Sequence, residues 1–264
     1  MANESARFPS RILTISKNAF REAVRDRILY NLILFMLLLT ASAIFLGELS
    51  AGQESRVIVN LGLSAVLIFG TFISIFVGVS LVWKEIEKKT VYSIFSKPIG
   101  RGEFIIGKYL GLCLTLFVNV AVMGTGVSLA LLYVGGGRLA ADIWPAVLLI
   151  FLELTIMTAV AIMFSSFSTP ALSALLTFFI FVIGHFSASL RELAQGMNSN
   201  AAKLVFEGIY YLLPNLSHFS FITETSNGMR PSMSMLGGAI AYAVVFDIIL
   251  LTITVVIFKR RNFK

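Results

Sequence analysis

Apolar stretches long enough to cross a lipid bilayer recur six times along the chain, and no other feature constrains the fold as strongly. They cover residues 28–46, 57–82, 104–134, 144–164, 171–188 and 236–258. A helical crossing needs roughly 20 apolar residues. Hydrocarbon offers the backbone no hydrogen-bond partner, so each stretch is expected to be a helix. The run 104–134 exceeds one crossing, which places its first turn, Phe104 to Lys108, in the interface. Composition agrees: 57% of the 264 residues are hydrophobic and 13% are charged. A soluble domain carries about 25% charged residues. This chain has too little polar surface to cover itself in water, which excludes an ordinary soluble enzyme and a disordered polymer. The expected fold is an all-α integral membrane protein, residues 1–264 forming one transmembrane domain.

Basic residues orient the spans. Of 21 Lys and Arg, six precede the first span, six lie around the connection between spans two and three, and four end the chain. The remaining five are Arg56, Arg138, Arg191, Lys203 and Arg230. Cytoplasmic segments collect Lys and Arg, so both termini are expected to be cytoplasmic. The net charge of +7 then reports topology rather than nucleic-acid binding. The first apolar run follows many charges, unlike a cleaved secretory signal, so it is expected to be retained as a span. Residues 10–27 place Ile12, Ile15, Ala19, Phe20 and Ala23 at helical spacing, with Arg11, Asn18, Glu22 and Arg25 opposite. A basic amphipathic helix of this kind lies along the cytoplasmic interface.

The connection 83–103 is the most informative stretch. Charged residues fill its first turns; Val91, Tyr92, Ile94 and Phe95 then form an apolar patch, and Pro98 and Gly100 stop the helix. A solvated loop has no need of Ile94 and Phe95. Exposed apolar residues between charged flanks suit docking into a partner's groove. Glu85-x-Glu87-x-x-Thr90, a short apolar helix, then Ser96-Lys97-Pro98-Ile99-x-Arg101-x-Glu103 and an apolar run with Gly107-Lys108 resemble the type-two ABC exporter permeases, in their NosY-like branch. The interfacial helix, six spans, cytoplasmic termini and long outer segment (189–235) extend the resemblance over essentially the whole chain.

The resemblance implies a permease subunit in the inner membrane of a prokaryote, working as a dimer with a second copy or a paralogue. Its coupling helix, near 87–96, would seat in a separate ATP-binding subunit. Glu85, Glu87, Thr90, Ile94, Lys97 and Arg101 are then the candidate partner contacts. ATP and magnesium would belong to that partner, with no cofactor on this chain. The stretch Gly102 to Tyr109 matches Gly-x-x-x-x-Gly-Lys but ends in Tyr instead of Ser or Thr, so it lacks the hydroxyl that a phosphate loop offers magnesium. Its Gly107 and, one turn on, Gly111 instead form a small-residue pair that favours close helix packing.

Glu153 and Asp247 fall near the middle of their spans, and no Lys or Arg lies at comparable depth. A carboxylate there costs on the order of 2.5–3.5 kcal/mol on insertion scales. Both are expected to face the bundle interior, sharing a proton or bonding Asn119, Thr155 or Ser173, either as pathway residues or as structural hydrogen bonds. His185 reads as an interfacial hydrogen-bonding group near the outer end of span five. His218 is the only other histidine, and two are too few for a catalytic metal site. Cys113 stands alone, which excludes an intrachain disulfide, and reads as a small packing residue. Residues 200–213 carry a helical apolar pattern too short to span, so they are expected to lie at the interface. Two competing readings remain: a standalone carrier or channel built on Glu153 and Asp247, and a membrane-embedded enzyme acting on lipid-linked substrates. No internal repeat supports the carrier, and the acids are too scattered for the enzyme.

Overall fold

The computed structural model describes residues 7–25, 27–50, 52–87, 100–187 and 200–260, together with positions 189 and 192. Among these residues there is helix and no strand. The elements are α1 (Arg7–Val24), α2 (Arg27–Glu48), α3 (Glu54–Glu87), α4 (Arg101–Tyr133), α5 (Gly137–Asp142), α6 (Trp144–Ser165), α7 (Pro170–His185), α8 (Asn200–Leu212), a 3-10 turn (Leu216–Phe219), α9 (Ile222–Ser226) and α10 (Met233–Arg260). Four stretches are long and apolar enough to cross a membrane: Glu54–Leu81, Arg101–Tyr133, Gly137–Ser165 and Met233–Arg260. Leu32–Gly47 and Pro170–His185 are shorter apolar helices. The 16 residues of α7 rise about 24 Å at 1.5 Å each, less than the roughly 30 Å hydrocarbon core.

α6 is the centre of the bundle and packs against α3, α4, α7 and α10. Apolar residues occupy all its sides, as contact with several neighbours requires, and its residues from Leu154 to Ile162 are all buried. Its tightest seam is with α3, where Gly70, Ser74 and Gly78 recur at every fourth position. A Cβ on Gly70 would lie 2.5 Å from Leu154 Cδ1, and one on Gly78 would lie 3.1 Å from Ala161 Cβ. Between them the Ser74 and Thr158 hydroxyls hydrogen-bond at 3.1 Å. Small residues let the two backbones approach, and the hydroxyl pair adds the polar contact hydrocarbon rewards.

Local signals set the helix ends. α4 closes with Gly135 at φ +80°; the Gly136 N–H donates to the Leu131 carbonyl at 2.8 Å and that of Gly135 to Leu132 at 3.2 Å. This paired return satisfies the orphan carbonyls and needs a left-handed glycine. Pro170 opens α7 in the first turn, where its missing N–H costs nothing. α3 runs through Glu87, five residues beyond the apolar run ending at 82. Its 34 residues rise about 51 Å, so the helix projects several turns past a bilayer core.

Candidate functional site

The C-terminal root of the 83–103 connection is where three elements meet. At Gly100 the chain is extended (φ −73°, ψ 145°), and its N–H donates to Glu103 Oε2 at 2.9 Å, so Glu103 caps the helix it begins. The same carboxylate lies 3.7 Å from Arg11 Nη1 of α1. Five residues on, Lys108 Nζ meets Glu22 Oε2 at 3.2 Å. Between these two ion pairs the helices nearly touch. A Cβ on Gly107 would stand 2.7 Å from Ile15 Cβ, and one on Gly111 would stand 2.5 Å from the Ser16 carbonyl oxygen and 2.6 Å from Ala19 Cβ. The small-residue pair read in the sequence therefore faces the amphipathic helix.

The last helix joins at the same place. Arg101 Nη1 donates to the Phe258 carbonyl at 3.2 Å and to that of Lys259 at 2.6 Å, and the Phe104 and Phe258 rings stack at 6.0 Å. A guanidinium on the terminal carbonyls of α10 satisfies acceptors that the helix leaves open and complements its dipole. Of the residues expected to touch a partner, Arg101 thus makes intramolecular bonds. Glu85 and Glu87 lie in the last turn of α3, and their side chains fall outside the described residues, as do Thr90, Ile94 and Lys97 entirely.

The two membrane acids are each found a different neighbour. Glu153 is 1% exposed; its Oε1 lies 3.5 Å from His185 Nε2 and has no hydrogen bond among the described residues. His185 Nδ1 is 3.2 Å from the Phe181 carbonyl. That carbonyl can only accept, so Nδ1 carries the hydrogen. The imidazole therefore presents Nε2 to the acid. Asp247 is buried too, and its Oδ2 accepts from Thr155 Oγ1 at 3.0 Å. Tyr109 and Cys113 of α4 adjoin the same carboxylate, so Cys113 lines a polar cluster as well as packing.

Glu153 and Thr155 are two residues apart on α6, about 200° around the helix, so the acids look out from opposite faces and share no proton. Ser173 bonds Ser168 at 2.6 Å and Asn119 Nδ2 donates to the Thr115 carbonyl at 2.7 Å. Of the partners expected for the acids, Thr155 alone is found in place. Among the described residues no group of three or more His, Cys, Asp or Glu is placed to hold a metal.

A model of a family described as ABC-2 family transporter protein matches residues 13–263. The chain belongs to this family. Along 125 residues it is 26% identical to a protein of Pseudomonas aeruginosa called probable ABC transporter permease protein NosY. The matched stretch is 46% of each chain, so it spans less than half the length of that relative. As an ABC-2 protein the chain is a multi-pass membrane permease, which agrees with its apolar helices.

Two features of this ABC-2 permease escaped the sequence reading. Glu153 and His185 pair because α6 and α7 form an antiparallel hairpin. Reflecting 153 through the turn near 167 brings roughly position 182 opposite it, and His185 lies within one turn of that. The Gly70-Ser74-Gly78 seam was open to detection by its four-residue spacing.

Proposed function

We propose that this chain is the membrane-spanning subunit of an ATP-driven ABC exporter in a prokaryotic inner membrane. It crosses the bilayer six times with both termini cytoplasmic, and lines the substrate pathway as a dimer with a second copy or a paralogue. Its 83–103 connection seats in a separate ATP-binding subunit, which holds ATP and magnesium. The observation that carries this reading is the convergence at residues 100–111. There the end of the connection is tied to α1 by two ion pairs and a glycine contact, and to the end of α10 by Arg101. A displacement delivered to the connection would pass to both elements, since close-packed helices transmit strain instead of absorbing it.

The reading is mechanical. ATP biases the permease only if the ATP-bound partner dimer holds one arrangement of the two connections better than the other. Glu85, Glu87, Thr90, Ile94, Lys97 and Arg101 provide the contact, and Arg101, clasped to the end of α10, also passes the motion inward. The test is co-purification of the tagged chain from its native host in mild detergent. A stoichiometric soluble subunit with a complete phosphate loop is expected with the natural chain and lost with Ile94→Asp. Retention of that subunit by Ile94→Asp, with undiminished transport, would overturn the placement of the contact. Failure to recover any ATP-binding subunit would overturn the exporter reading.

A further inference from the structure

We infer that the face opposite the 83–103 connection carries a binding site for the phosphate of an anionic lipid headgroup. A cleft of about 610 Å³ opens there between the α2–α3 turn, α5 and the residues following α9, and Gln53, Ser55, Arg56, Arg138, Asp142 and Asn227 are among its lining residues. Leu139 is the one apolar side chain in that lining, so the cleft suits a polar group and not an acyl chain.

Its charge is lopsided. Asp142 is 4% exposed and accepts from Arg230 Nη2, which neutralises it. Arg138 Nε lies 4.0 Å from the other carboxylate oxygen, with its side chain 92% exposed, so most of its donors stay open. Arg56 is exposed, and no carboxylate among the described residues pairs with it. Arg230 and Arg138 thus share one carboxylate, and Arg56 lines the same cleft without one. They are three of the five basic residues assigned to this face, the face on which Lys and Arg are disfavoured. The Gln53 amide and Ser55 hydroxyl add neutral donors. Guanidinium forks match the oxygens of a phosphate in a way few other cations do.

Depth selects the lipid. Tyr133 ends α4 and Trp144 begins α6, on either side of Arg138 in the chain, and they are 77% and 41% exposed. Exposed aromatic residues at the ends of membrane helices sit among headgroups. The cleft is lined by Arg138, Leu139 and Asp142 of the short segment that joins these two helix ends, which sets it at headgroup level, where phosphates are the most abundant anions. An anionic headgroup brings no cation against Arg56 and Arg138, unlike a zwitterionic one. The inference needs this face to lie at a membrane surface and is independent of any ATP-binding subunit.

The test is native mass spectrometry of the full-length chain released from detergent micelles and titrated with phosphatidylglycerol, beside Arg56→Gln/Arg138→Gln. The natural chain should retain the lipid about tenfold more tightly than the double variant, with Arg56→Lys/Arg138→Lys in between. Phosphatidylcholine should not distinguish them. Phosphatidylglycerol bearing a photoreactive headgroup should label peptides containing 52–56, 138–142 or 226–228. If the double variant does not fold, Arg138→Gln alone, at a fully solvated side chain, should still weaken retention severalfold. Equal retention by natural and Gln chains, or labelling confined elsewhere, would overturn the site. Displacement of the lipid by millimolar inorganic phosphate would overturn the lipid and leave a pocket for a soluble anion.

Discussion

Gly111→Ala is the smallest change that tests whether α1 is locked to the root of the connection. The added Cβ would lie 2.5 Å from the Ser16 carbonyl oxygen, 2.6 Å from Ala19 Cβ and 3.1 Å from the Phe20 nitrogen. Ordinary contact begins near 3.4 Å, and two of these three atoms are backbone, so no rotamer relieves the clash. α1 must retreat by about 1 Å, or its docking weakens by the 1–3 kcal/mol typical of overpacking. The Arg11–Glu103 and Glu22–Lys108 pairs would stretch with it. Hydrogen exchange of the full-length chain in detergent reads this locally, because α1 can open without the bundle unfolding. Exchange across residues 12–20 should accelerate roughly five- to hundredfold. Gly238→Ala is the control: a Cβ there meets nothing within 4 Å, and alanine favours a helix by about 0.5–1 kcal/mol over glycine. If α1 exchanges at the same rate in both variants, α1 does not rest on Gly111 and the convergence argument fails.

Four further outcomes follow from the same geometry. His185→Leu strips Glu153 of its neighbour and should cost about 1–3 kcal/mol; adding Glu153→Leu should recover much of it, as a double-mutant cycle of thermal stability would show. Thr155→Val removes the hydroxyl from Asp247 and should destabilise by about 1 kcal/mol, an effect that disappears when Asp247 is already Ala. Arg101→Gln should leave thermal stability within about 1 kcal/mol yet reduce ATPase stimulation in the complex; full stimulation would show that the α10 clasp transmits nothing. Gly70→Leu should prevent assembly of the bundle, since α3 and α6 meet there with no spare volume, and a monodisperse variant on gel filtration would contradict the seam.

Membrane residence was legible because hydrocarbon leaves few alternatives: an apolar run of sufficient length must be helix. Helix ends were less legible, because hydropathy marks where the membrane stops and the helix stops elsewhere. Lys84 to Glu87 are good helix formers with no breaker before Pro98 and Gly100, so α3 continues through them. α10 begins at Met233, three residues before its apolar run, where Ser232 Oγ accepts from the Met235 N–H at 3.2 Å, a capping signal that hydropathy ignores. Pairings across helices were hidden for a different reason. Arg101 and Phe258 are 157 positions apart, and nothing in either neighbourhood names the other. The resemblance offered Arg101 as a partner contact, and its bonds to the open carbonyls at the end of α10 are an additional role that no local pattern announces.

The distribution of burial gives the proposed mechanism a direction. In their most apolar windows α6 is 72% buried and α3 67%, against 22% for α10. α3 and α6 are also joined by the close glycine seam and the Ser74–Thr158 bond, so they behave as one rigid pair. α10 is held differently, by Arg101 and Phe104 at its end and by Asp247 to Thr155 further along. Between these attachments α10 packs on α6 along one row of buried residues that includes Ala239, Ala243 and Leu250, and a single row permits a small rotation or slide that an interdigitated seam forbids. Force arriving at residues 100–104 would therefore be spent on α10 and α1 before it disturbed α3 and α6. Asp247 is the point where such motion would be felt within the membrane, since its Oδ1 has no hydrogen bond among the described residues while Thr155 of α6 and Tyr109 of α4 both adjoin its carboxylate. Under this scheme Asp247→Asn should alter transport while leaving partner binding intact, whereas Glu153→Gln, buried between the static α6 and α7, should alter neither. Transport assays of the two variants in proteoliposomes with the ATP-binding subunit would separate them, and equal defects in both would refute the division into a fixed and a moving half.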